Sequence, residues 1–294
     1  MCSWARRGAA VALLLAGCGG ESAAPAEIAP ARAPGACDEL WRLSTGSAAV
    51  VPGEEAYRSW VESSPSTGFV TRIAPIADRG GGVVHHLFVT RGAATPEQPM
   101  PPILFAGGRG SRGVELPPGT GLRIEAGEEL ELGLHLVNPT ERAVHFDAGV
   151  ELCIVREVAI EADVVSFGPE QISIPPDRAE HTFAAGCPVS GERTFFAAWP
   201  HMHALGTRIE IALGVEQLVS IPRWDAADQP LYPIDPVRTT DGGEVLSVSC
   251  SFVNTGSTPV GFGHYARDEM CLAFLYYFPA GLARGWGCGR AQGR

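Results

Sequence analysis

Glu129-Leu130-Glu131-Leu132-Gly133-Leu134-His135-Leu136-Val137 alternates up to Leu136, with four leucines at every second position. Successive side chains of a β-strand leave opposite faces, so Leu130, Leu132, Leu134 and Leu136 share a buried face. Glu129, Glu131, Gly133 and His135 share the other, which turns His135 away from the leucine layer. Asn138-Pro139 ends the run. Outward from it, Val83 to Val89, Arg208 to Leu213, Glu244 to Val253 and Met270 to Phe278 have the length and the Val, Leu and aromatic content of strands. The chain carries 36 Gly and 24 Pro as punctuation and no long amphipathic helix. The expected class is all-β, built as sandwiches.

The 294 residues suffice for two domains or one large β domain. The formal net charge is −11, and all 22 basic residues are Arg. So acidic a chain is a poor candidate for nucleic acid. There is no G-x-S-x-G, P-loop or dinucleotide fingerprint, and the acids are too scattered to suggest a general acid–base pair. Arg6-Arg7 followed by the apolar run Ala9 to Ala16 is too short to span a bilayer and has the form of a signal segment. Leu15-Ala16-Gly17-Cys18 resembles a bacterial lipobox, in which Cys18 is acylated. The expectation is a signal peptide over 1–17, an Ala/Pro-rich tether over 18–36, and a lipid anchor on Cys18 holding the protein to a membrane of the bacterial cell envelope. Beyond the leader lie Cys37, Cys153, Cys187, Cys250, Cys271 and Cys288, an even number that favours three disulfides in an exported protein. Spacing alone does not choose the pairing.

His201-Met202-His203-Ala204-Leu205-Gly206 places two imidazoles two residues apart, on one face of a strand. Pro200 just before suits a strand start or an exposed edge. His85-His86 are adjacent, so they can share an ion only if a bulge or strand end re-aims one ring. Gly80-Gly81-Gly82 could allow that. Alternation puts Met270 on the face opposite Cys271. Two groups result, His85/His86/His135 and His201/His203/Met270. Three imidazoles suit Zn, Cu, Ni or Fe, whereas two imidazoles with a thioether point to copper, whose reduced state soft sulfur favours. His145, His181 and His264 have no partner at metal spacing.

His85-His86, Leu134-His135-Leu136-Val137-Asn138-Pro139, His201-Met202-His203-Ala204-Leu205-Gly206, Cys250-Ser251-Phe252-Val253-Asn254-Thr255, and Glu269-Met270-Cys271 with Tyr276-Tyr277 stand in one order. In that order the chain resembles the copper type II, ascorbate-dependent monooxygenases, the family of peptidylglycine α-hydroxylating monooxygenase and dopamine β-monooxygenase. The resemblance covers roughly Cys37 to Cys288. It implies two jelly-roll-like antiparallel β-sandwich domains, 37–158 and 159–294, facing a solvent-filled cleft. It implies two copper ions: His85, His86 and His135 hold the one that receives electrons, and His201, His203 and Met270 hold the catalytic one. It implies O2, a small-molecule substrate with an activated C–H bond, and ascorbate or another one-electron reductant. It also implies the disulfides Cys37–Cys153, Cys187–Cys288 and Cys250–Cys271. Trp199 stands where the peptide-amidating members carry the Arg that binds a substrate carboxylate, and Leu87 where the family often has Met. A C-terminal peptide is therefore not the expected substrate. Two rivals are a non-catalytic copper-binding envelope lipoprotein and a zinc hydrolase on His201 and His203, which lacks a nearby Glu base and makes no use of Met270.

Overall fold

The stretch 129–137 forms the strand Glu129–Val137, with its four leucines at most 1% exposed. The computed structural model describes residues 36–76, 82–93, 101–108, 111–169 and 171–282, all within the packed unit Pro34–Arg294. The class is all-β, with no helix among the described residues. The other expected runs lie in strands Val84–Arg91, Gly206–Leu213, Val245–Val253 and Cys271–Phe278. The expected leader, Cys18, nearly all of the tether, Gly80, Gly81 and Cys288 lie outside the described residues.

A nine-stranded sheet runs through both halves of the chain in the order Glu39–Ser44, Gly149–Val155, Gly68–Ile76, Thr120–Ile124, Ile160–Phe167, Cys271–Phe278, Arg193–Met202 and Tyr232–Thr240, with Val114–Glu115 paired beside Gly68–Ile76. Its pairings are antiparallel except where Ile160–Phe167 meets Thr120–Ile124. A four-stranded sheet, Glu55–Ser63, Glu129–Val137, Val84–Arg91 and Ile103–Gly108, covers the first part of it. Another, Glu180–Pro188, Val245–Val253, Gly206–Leu213 and Glu216–Ile221, covers the last part. Each sheet pair encloses its own apolar core.

The strand Cys271–Phe278 is the wall between those cores. Leu272, Phe274 and Tyr276 enter the first core, while Cys271, Ala273, Leu275 and Tyr277 enter the second. A strand buried on both faces can be apolar throughout, which explains why this run does not alternate in polarity. Each large side chain buried there contributes about 1.5–3 kcal/mol relative to exposure. The Tyr276 hydroxyl donates to the Leu104 carbonyl at 3.3 Å, joining the wall to strand Ile103–Gly108.

Cys37–Cys153 and Cys250–Cys271 are bonded. Cys187 is also disulfide-bonded. Pro200 lies inside strand Arg193–Met202 and not at its start. Pairing of that strand with Tyr232–Thr240 ends at Ala198, so Pro200 falls where the ladder is one-sided and a missing N–H is tolerated.

Gly168 follows Ile160–Phe167 at a point where a Cβ would collide with the Cys271 carbonyl, a backbone atom that cannot swing aside. Gly168→Ala should lower the unfolding free energy by about 1–3 kcal/mol in urea titration. An unchanged value would contradict this close approach.

Candidate metal centre

The first histidine group is assembled across the four-stranded sheet. Tyr57 opposes His135, His135 opposes His86, and His86 opposes Gly108. Between Val84 and His86 the register shifts by one residue, so His85 is the extra residue of a β-bulge. The bulge lets two adjacent histidines look the same way. Gly82 just before it has φ +80°, a conformation L side chains rarely adopt. The Nδ1 atoms of His85 and His86 lie 3.3 Å apart, and the candidate ligand atoms of His85, His86 and His135 all lie within 4.8 Å of one another.

His135 shows which nitrogen faces inward. Its Nε2–H donates to Glu55 Oε1 at 2.9 Å, and Tyr57 stacks flat on the ring at 4.3 Å. Its buried Nδ1 has no hydrogen-bond partner. A buried lone pair left unpartnered among two other imidazoles fits a metal ligand.

The second group sits at the end of the ladder between Arg193–Met202 and Cys271–Phe278. His201 opposes Leu272 and Met202 opposes Cys271. Met202 enters the second core with Cys271, whereas Met270 faces the first core with Leu272. His201, His203 and Met270 therefore share the face turned toward the first histidine group. His201 Nδ1–H donates to Gln229 Oε1 at 2.7 Å, and His203 Nδ1–H to the Asp268 carbonyl at 2.9 Å. Both Nε2 atoms are thereby left with the lone pair.

The two groups meet. The rings of His86 and His201 are 5.4 Å apart, in a chain of contacts that also links His85 to His86, His86 to His135 and His201 to His203. Where a solvent-filled cleft was expected between the groups, these two side chains touch. The physical reason is the shared apolar seam, in which Trp199, Met270, Leu272 and Tyr276 bury themselves in the first core.

Electrostatics follows from this crowding. Burial, then repulsion from His201, His135, His85 and His203, holds His86 well below the ordinary histidine range. Burial and the His203 ring push His201 down to about 3, against the opposing pull of Gln229. Burial also lowers His135 and His203. These imidazoles are neutral at pH 7, the form that binds a cation.

Three polar side chains were given no role in the sequence reading. Glu55 and Gln229 each hold one histidine N–H. Glu269, 1% exposed, accepts the backbone N–H of His203 at 3.0 Å and of Leu205 at 2.6 Å, which fastens the H-x-H turn to the residue before Met270. Burial pushes its carboxyl up to about 7, and the backbone donors pull the other way. Glu269 is the carboxylate the zinc-hydrolase rival lacked in sequence, yet both of its oxygens are engaged by backbone. Trp199 stacks on His201 at 4.9 Å, and its indole N–H donates to the Gln229 carbonyl. His145 is exposed, His181 bonds Asp177, and His264 lies edge-on to Phe262.

Residues 160–286 match the copper type II ascorbate-dependent monooxygenase C-terminal domain. Among solved structures, the chain is similar at 12% identity to PNGase F, a glycosylasparaginase from Flavobacterium meningosepticum, over 82% of this chain and 96% of that one, with a TM-score of 0.43. It is similar at 10% identity to the VP2 subviral particle of infectious bursal disease virus, over 84% of this chain and 77% of that one, with a TM-score of 0.19. TM-scores this low support no conclusion about fold or function.

A histidine held below its ordinary pKa destabilises the fold as pH falls, because the unfolded chain then binds more protons. For His201 that loss begins near 6.5 and runs toward about 3, with full stability above 6.5. The urea midpoint of the metal-free protein should drop between pH 7 and pH 5, and drop less in His201→Gln. Equal drops in the two proteins would contradict the buried, neutral assignment.

Proposed function

We propose that this chain, whose residues 160–286 carry the copper type II ascorbate-dependent monooxygenase C-terminal domain, hydroxylates an activated C–H bond of a small molecule with O2 and an external reductant such as ascorbate. The observation that carries the reading is the contact of His86 with His201, which brings the cluster His85/His86/His135 against the His201/His203 pair, with Met270 buried in the first core beside the same strand. His85, His86 and His135 would hold one copper, and His201, His203 and Met270 the other. Copper supplies one-electron redox chemistry and the activation of O2.

The chain's own residues orient and exclude. Glu55, Gln229 and the Asp268 carbonyl take the histidine N–H groups, which aims the opposite nitrogens at the ions. His86, His135, His201, His203 and Met270 are each less than 9% exposed, so bulk water is kept from the donors. Trp199 offers no cation, and its one donor is spent on Gln229. A substrate anchored by a carboxylate at that position is disfavoured. We further place the division between the two sandwich domains at 158/159, and the mature protein on a lipid anchor at Cys18 in a bacterial cell envelope.

The same burial favours a second reading, a copper-binding envelope lipoprotein without catalysis. Metal content and O2 uptake separate the two. Copper-loaded protein given ascorbate should hold two coppers and consume O2 above free copper, and His203→Ala should hold one and lose most of that uptake. Two coppers without O2 uptake would favour the binding protein, and retention of zinc in preference to copper would overturn both.

A further inference from the structure

Gln229 is 3% exposed, in the loop between strands Glu216–Ile221 and Tyr232–Thr240. Every polar atom of its side chain is committed. Nε2 donates to the Ala226 carbonyl at 2.8 Å and lies 3.5 Å from the Met202 carbonyl, while Oε1 accepts from His201 Nδ1 at 2.7 Å. With the NH2 facing two carbonyl acceptors, the amide cannot flip without setting oxygen against oxygen. Oε1 is therefore fixed toward His201, and an acceptor there requires the proton on Nδ1.

The backbone of the same residue reaches into the other half of the chain. The Gln229 carbonyl accepts the Trp199 indole N–H at 2.9 Å and the Gly108 backbone N–H at 2.9 Å. Gly108 is the register partner of His86. A Cβ on Gly108 would stand 2.8 Å from the Gln229 Cβ and 3.0 Å from its carbonyl oxygen, so the two backbones approach as closely as glycine permits. Gln229 thus touches His201 with its side chain and the strand beside His86 with its main chain.

We propose that Gln229 is a positioning residue for the candidate copper centre, fixing His201 with its lone pair on Nε2 and locking that ring against the strand paired with His86. The inference rests on the function proposed above for its metal, and on hydrogen bonding alone for the tautomer. A buried carbonyl accepting from both halves explains why this loop residue is more deeply buried than its neighbours Asp228 and Pro230. Loss of such an outer partner of a metal ligand lowers metal affinity by about 10–100-fold.

Long-range proton–nitrogen correlation on the 15N-labelled, metal-free full chain reads the His201 tautomer directly, and competition with a Cu(I) chelator reads the affinity of each copper. Wild type should show His201 protonated on Nδ1. Gln229→Ala should lose that preference and weaken one copper by about 10–100-fold, leaving the other within about twofold. Gln229→Glu, protonated on the oxygen that faces the Ala226 carbonyl, keeps an acceptor toward His201 and should restore the tautomer. Gly108→Ala changes no side chain of the second group, yet should disturb the His201 signals by displacing Gln229. A His201 tautomer and copper affinity unchanged in Gln229→Ala, or His201 signals unmoved in Gly108→Ala, would overturn the proposal. A wild-type chain that takes up no copper would refute the proposed function, whereas the tautomer and its loss in metal-free Gln229→Ala judge the role of Gln229 independently.

Discussion

Imidazoles brought into contact inside an apolar seam cannot all be charged. Burial penalises protonation of each ring, and each neighbour penalises it further. Neutral rings still carry one N–H apiece, and a buried N–H without an acceptor costs about as much as a lost hydrogen bond. Glu55, Gln229 and the Asp268 carbonyl meet that demand for His135, His201 and His203. What remains is an inward-facing lone pair on each of those rings. The availability of those lone pairs to a cation is therefore a consequence of how the N–H groups are satisfied.

The seam exists because the wall strand Cys271–Phe278 serves two cores. Had Leu272, Phe274 and Tyr276 been polar, the two halves would have presented wet faces to each other. Their burial draws strand Ile103–Gly108 and strand Arg193–Met202 toward the same side, and the histidines on those elements and their neighbours follow. Cys250–Cys271 pins the start of the wall beside Met270, and Glu269 pins the H-x-H turn to the same place. The positions of His201, His203 and Met270 are thus fixed by one disulfide, one buried carboxylate and one ladder.

Much of this was legible from local pattern. Alternation in Glu129–Val137 named both the buried leucines and the outward His135, because period two is a property of neighbouring residues. The need for a bulge at His85-His86 followed from the same rule, and the register shift between Val84 and His86 meets it. Alternation also separated Met270 from Cys271. The orienting groups were not legible: Gln229 lies 28 residues from His201 and Glu55 lies 80 from His135, and neither carries a local signal. Glu269 did carry one, an acid directly before the apolar run Met270 to Phe278, where an acid is buried only when it has partners. The contact between His86 and His201 depends on packing across the seam, which no spacing along the chain encodes.

The central claim is that two chemically distinct donor sets converge here and that one of them includes sulfur. Copper K-edge X-ray absorption on the reduced, copper-loaded protein tests it most directly. The account predicts one sulfur scatterer shared over two coppers, absent in Met270→Ile while the nitrogen shell and total copper persist. A wild-type spectrum of nitrogen and oxygen scatterers alone would contradict it.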